Sequence, residues 1–100
     1  MMDRIRSLNE TPFPDVIRLR RTIHQNPELA FEEVETARLV TETLTPLGLD
    51  VQTGVAKTGV MATLHGEQPG PTLLLRADMD ALPIHEQNGF DFVSQNAGKM

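Results

Sequence analysis

The hundred-residue sequence predicts an α/β fold with a mixed sheet covered by helices, and three observations carry that prediction. Apolar residues recur with helical spacing as far as Leu47, the period changes to two from Leu49, and a continuous apolar run, Leu73-Leu74-Leu75, follows a Pro/Gly loop. The order helix, helix, strand, strand, strand, with a last strand apolar on both faces, suits a sheet buried between helical layers.

The first helix is expected from about Pro14 to Gln25, where Val16, Leu19 and Ile23 share a face and Ile17 flanks it. Pro14 fits a first helical turn because its missing N–H would be unpaired there, and Asp15 complements the positive end of the dipole. Asn26-Pro27 ends the helix, since the residue before proline is pushed out of the α region. Arg18, Arg20 and Arg21 are expected on its solvated sides.

A second helix is expected from about Glu32 to Leu47, with Ala37, Val40, Leu44 and Leu47 as its apolar stripe. Glu32, Glu33 and Glu35 crowd its first turn, a placement that the dipole explains without any metal cluster. Gly48 is a natural residue just past the end, and Pro46 should tighten or end the last turn early.

Leu49, Val51 and Thr53 then alternate with Asp50 and Gln52 as a first strand, and Val60, Ala62 and Leu64 alternate as a second. Lys57-Thr58-Gly59 is the expected turn between them. Gly66 to Pro71 is a loop, and Thr72 to Arg76 is expected as a third strand buried on both faces. Two helices offer too little cover for such a strand, which implies more chain.

Composition narrows the function. With 39% hydrophobic residues the chain suits one small domain of marginal stability on its own. A net charge of −5 without long runs of either sign argues against nucleic acid and against a polybasic membrane contact. Cysteine is absent, so no disulfide or thiolate metal site can form from these residues. The amino terminus lacks the apolar region of a secretory signal, and no stretch approaches the roughly twenty apolar residues of a membrane span. A soluble, cytoplasmic protein is the expectation. Gly98-Lys99-Met100 follows a Ser/Gln/Asn/Gly loop without a helix stop or terminal strand and reads as an interruption.

The chemistry concentrates in Arg76-Ala77-Asp78-Met79-Asp80-Ala81-Leu82-Pro83. Asp78 and Asp80, two apart at the carboxyl end of the expected third strand, lie on one side of an extended chain and could face one cavity. Carboxylates there call for a cation: a divalent metal, an arginine or a substrate ammonium. The competing reading has the pair capping a turn or bonding Arg76 at the surface. His24, His65 and His85 are too far apart along the chain for a helical metal pair, and His24 near a helix end can bond the last carbonyls. Neither a G-x-G-x-x-G nor a P-loop is present, and Ser7 and Ser94 lack a nucleophile elbow.

Four motifs carry a family resemblance: Arg20 to Leu29 with Glu33 and Thr36 after it, Thr58 to Leu64, Gly70 to Glu86 with the double-Asp segment, and Phe92-Val93-Ser94 leading to Gly98-Lys99-Met100. In these the chain resembles the amino-terminal part of M20-family metal-dependent amidohydrolases, of the hippurate hydrolase and N-acyl-amino-acid amidohydrolase type. The third motif is highly specific; the others are weak alone. The resemblance implies that residues 1–100 form the amino-terminal part of a zinc-peptidase-like catalytic domain, with the rest of that domain and an inserted dimerisation domain beyond Met100. It implies a divalent metal (Zn, Mn, Co or Ni) held mostly by His, Cys and Glu residues after Met100, an N-acyl amino acid substrate, and a homodimer. Asp78 stands where wider members carry a metal-binding His, and Asp80 stands where they carry its supporting acid. The resemblance therefore assigns catalytic-site roles to Asp80 and Asp78, more strongly to Asp80, with Arg76 fixing a carboxylate. The alternative is a non-catalytic truncated chain or a binding or assembly module of the same architecture.

Overall fold

The computed structural model describes all residues from Met1 to Met100. It contains α1 (Met2–Glu10), α2 (Phe13–Gln25), α3 (Val34–Leu44), a 3₁₀ turn (Thr45–Leu47), β1 (Asp50–Val55) and β2 (Gly59–Thr63). The two strands form an antiparallel hairpin and are the only sheet, so the expected mixed sheet is corrected to a two-stranded one. α3 packs against both strands.

α1 was not expected. Ile5 and Leu8 fall on one face, but both stay exposed and the helix buries no residue. α2 begins one residue before its expected start, with Pro14 in its first turn, and stops at Asn26, whose side-chain amide donates to the Thr22 carbonyl at 2.8 Å. α3 starts two residues later than expected: Phe31 just before the expected start is left-handed at φ 64°, and Glu33 at φ −77°, ψ 55° is still outside the helical range. Its far end follows the expected chemistry: Pro46 lies in a 3₁₀ turn, and Gly48 at φ 78° closes it.

The first turn of α3 is satisfied from a distance. Its own cap residue, Glu33, makes no side-chain cap bond; the Glu28 carboxylate accepts instead from the N–H groups of Glu35 at 3.1 Å and Thr36 at 2.7 Å. The Thr36 hydroxyl donates to the same carboxylate at 2.7 Å. Burial alone would raise the Glu28 pKa, but these donors outweigh it and hold the carboxyl below the usual range. Glu28→Ala leaves two helix N–H groups without that acceptor and is expected to cost about 1–2 kcal/mol, read in the longer chain as a shift in the denaturation midpoint at unchanged slope.

In the hairpin, Asp50 pairs with Thr63, Val51 with Ala62 and Gln52 with Met61, and the register then slips so that Val55 faces Gly59. The slip coincides with Gly54 at φ 72°. The turn falls on Ala56 and Lys57, both at positive φ, and so lies one residue earlier than expected. A Cβ on Gly59 would come within 2.5 Å of the Val55 carbonyl oxygen, which is why glycine closes this hairpin.

The expected third strand is absent. Thr72–Arg76 has no ladder partner, and Leu73, Leu74 and Leu75 are 82%, 82% and 84% exposed. A strand exists only through the ladder it joins, and the two-stranded hairpin does not extend to this segment. No large apolar side chain in the chain is fully buried; Pro27, Glu33 and Thr36 are the buried residues.

After Asp80 the backbone is anchored again. Ala81 N–H donates to the Glu28 carbonyl at 2.8 Å, beside an isolated parallel bridge between Leu29 and Ala81. Leu82 and Met100 exchange two backbone bonds, at 2.8 and 3.0 Å, and Gln95 N–H donates to the Gln25 carbonyl at 2.8 Å. No helix is long and apolar enough to cross a membrane.

Candidate functional site

Asp78 and Asp80 line one cleft of about 490 Å³, together with Phe31, Glu33, Thr58 and Arg76. The unpaired segment brings its acids to the side of the molecule where α3 begins and the hairpin turns. Glu33 accepts a hydrogen bond from the Thr58 hydroxyl, which ties the start of α3 to the hairpin turn and holds the Glu33 carboxyl below the usual range. Three carboxylates thus share a concave surface with one guanidinium.

The two aspartates differ within it. Asp78 Oδ1 lies 2.6 Å from Arg76 Nη2, and both side chains are exposed. The surface pairing anticipated for Arg76 is therefore made, and with Asp78. Asp80, the last residue before the anchored stretch, is left facing the cleft without that cation. No group of three or more His, Asp or Glu side chains comes close enough to hold a metal ion. Carboxylate oxygens suit a divalent ion chemically, but two acids from this chain would be only part of a donor set.

The imidazoles lie elsewhere. His65 Nε2 is 2.6 Å from Asp50 Oδ2 across the open end of the hairpin, with both groups exposed, and His85 is exposed. His24 does not bond the last carbonyls of α2, as expected from its place near the helix end; its Nε2 lies 3.0 Å from both oxygens of Glu86. The Glu86 side chain is 4% exposed and also accepts from Ser94 N–H at 2.7 Å and the Asn88 amide at 2.9 Å. The Ser94 N–H, then Asn88 and His24, bring the Glu86 pKa down to about 2.

Because the folded value lies below the ordinary 4.5, the stabilisation from Glu86 is complete above about pH 4.5 and is lost as the pH falls toward about 2. Glu86→Gln in the longer chain is expected to flatten the acid limb of the stability profile across that window, measured by denaturant unfolding at several pH values. An unchanged acid limb in the variant would contradict this.

Sequence reasoning singled out Asp78 and Asp80, and the structure brings them to one cleft. It gave Glu33 only a dipole role and assigned none to Glu28 or Glu86. A signal existed for each, since Glu28, Glu33 and Glu86 all fall within or just after the motifs that carry the resemblance.

No family model matches the chain. Curated relatives do. The chain is 48% identical over 98 residues to an N-acyl-L-amino acid amidohydrolase of Geobacillus stearothermophilus, covering 98% of this chain and 26% of the relative. It is 51% identical over 83 residues to the IAA-amino acid hydrolase ILR1-like 6 of Arabidopsis thaliana, covering 83% of this chain and 18% of the relative. Among solved structures, a dinuclear metal binding peptidase of the M20 family from Bacillus subtilis superposes with a TM-score of 0.81 at 40% identity, covering 87% of this chain and 25% of that one. The chain is homologous to the amino-terminal part of the M20-family amidohydrolases.

A candidate aminohydrolase of methicillin-resistant Staphylococcus aureus matches the whole of this M20 homologue, at a TM-score of 0.91 and 40% identity over 27% of its own length. The chain thus spans about a quarter of the length of the relatives it matches.

Proposed function

We propose that these residues are the amino-terminal part of the catalytic domain of a metal-dependent amidohydrolase that cleaves the amide bond of N-acyl amino acids, hippurate-like or related conjugates. The observation that carries the reading is the 48% identity to an N-acyl-L-amino acid amidohydrolase across 98% of this chain, a span that includes the double-Asp segment. Asp78 and Asp80 at one cleft support it.

In the intact enzyme a divalent metal (Zn, Mn, Co or Ni) would activate water and polarise the amide carbonyl, held mainly by residues beyond this chain. Asp80 is the acid this chain offers to that centre, directly or by orienting a ligand, and Arg76, 2.6 Å from Asp78, holds that carboxylate turned to itself. The protein is cytoplasmic and works as a homodimer on a small-molecule substrate. Residues 1–100 alone have no turnover.

The test is release of a free amino acid from N-benzoyl and N-acetyl amino acids by the longer chain, loaded with Mn²⁺, Co²⁺ or Zn²⁺. Activity is expected with metal and none from residues 1–100. A folded, metal-loaded, full-length protein that releases nothing would leave the binding or assembly reading.

A further inference from the structure

Glu86 accepts from three donors, His24, Asn88 and Ser94 N–H, with its side chain 4% exposed. An ionised carboxylate only accepts, so His24 must carry its proton on Nε2 to meet both oxygens at 3.0 Å. The ring of Phe92 stands edge-on to His24 at 5.9 Å, stacks on Phe90 at 4.7 Å and lies 4.6 Å from the Arg21 guanidinium. Arg21 and His24 belong to α2; Glu86, Phe90 and Phe92 belong to the irregular stretch after Asp80. Ser94, held through its N–H by Glu86, is followed by Gln95 bonded to Gln25 and Asn96 bonded to the Pro27 carbonyl at 3.0 Å. The return of this loop puts Met100 against Leu82, two residues after Asp80.

Asp80 therefore stands between two unlike regions. Before it, Thr72–Arg76 has no ladder partner; after it, Ala81 is bonded to Glu28, Leu82 to Met100 and Gln95 to Gln25 at the end of α2. We propose that Glu86 and His24 are positioning residues, a clasp that pins the Ala81–Met100 loop to α2 and thereby fixes the backbone at Asp80 and the approach of Met100 to it. The proposal rests on the functional reading of Asp80 given above. Neither residue touches the cleft, so the clasp acts through the backbone alone.

The test uses the full-length, metal-loaded enzyme and the variants Glu86→Ala, His24→Ala and His24→Gln. Two quantities are read: steady-state kcat and KM, and hydrogen exchange at the amides of Ala81, Leu82, Gln95 and Met100. The expected result is faster exchange at those four amides in both alanine variants, with the α3 amides unchanged. kcat should fall about tenfold or more with KM within about twofold, as for an interaction made in the transition state only. His24→Gln, which can still donate an N–H to Glu86, is expected to recover most of the lost kcat. If Glu86→Ala does not fold, His24→Ala carries the same expectations.

Faster exchange with wild-type kcat would overturn the positioning role, as would unchanged exchange. An inactive wild-type enzyme is a different outcome. It overturns the amidohydrolase reading and takes the positioning role with it.

Discussion

Asp80→Asn in the full-length, metal-loaded enzyme is expected to lower kcat/KM about 100-fold or more, while Asp78→Asn lowers it less than about tenfold. The asymmetry follows from the structure. Asp78 already has a cation, since Arg76 lies 2.6 Å away at the surface, and an amide there mainly releases that guanidinium. Asp80 has no such partner, lines the same cleft and is the last residue before the anchored stretch. Asparagine keeps the shape of the side chain and removes its charge, so a large loss reports electrostatics and not packing. Steady-state hydrolysis of an N-acyl amino acid by the two variants checks this. Equal effects at both positions, or the larger one at Asp78, would contradict it.

The second large effect concerns folding. Residues 1–100 expressed alone are expected to show no cooperative heat unfolding, in contrast to a stable domain of this size, whose unfolding enthalpy is about 60–80 kcal/mol. No large apolar side chain is fully buried, and Leu73, Leu74 and Leu75 are all more than four-fifths exposed. Each leucine withheld from a core forgoes about 1.5–3 kcal/mol, a large share of the marginal stability of a small domain. The radius of gyration, 16.0 Å, also exceeds the roughly 13 Å of a compact hundred-residue domain. Differential scanning calorimetry of the isolated piece decides it, and a sharp two-state transition would contradict the account.

The sequence made local structure legible where local chemistry decides it. Pro14, Asn26-Pro27, Pro46 and Gly48 mark helix ends through steric rules that need no tertiary contact, and the structure places the ends within two residues of those expected, except that α3 gives way at Leu44 to the 3₁₀ turn that reaches Leu47. The period-two hairpin was equally readable. Thr72–Arg76 was not, because its apolar run states a need for cover on both faces and says nothing of where that cover lies. Long-range ties were missed for a related reason. Glu28 reaches the first turn of α3 across Phe31, and Glu86 meets His24 from 62 positions away, so spacing along the chain gives no hint of either. Asp78 and Asp80 were singled out because a strand's periodicity puts both on one side; in the structure both line the cleft, but Ala77 and Met79 line it too, so their shared placement does not come from that periodicity.

Anomalous diffraction at the metal edge from crystals of the full-length, Mn²⁺- or Zn²⁺-loaded protein locates the metal relative to Asp80. A metal peak in the cleft is expected, bound by Asp80 or separated from it by a single hydrogen-bonded ligand side chain. A metal centre remote from Asp80, with Asp78 and Asp80 both facing solvent, would contradict the assignment of this segment to the active site.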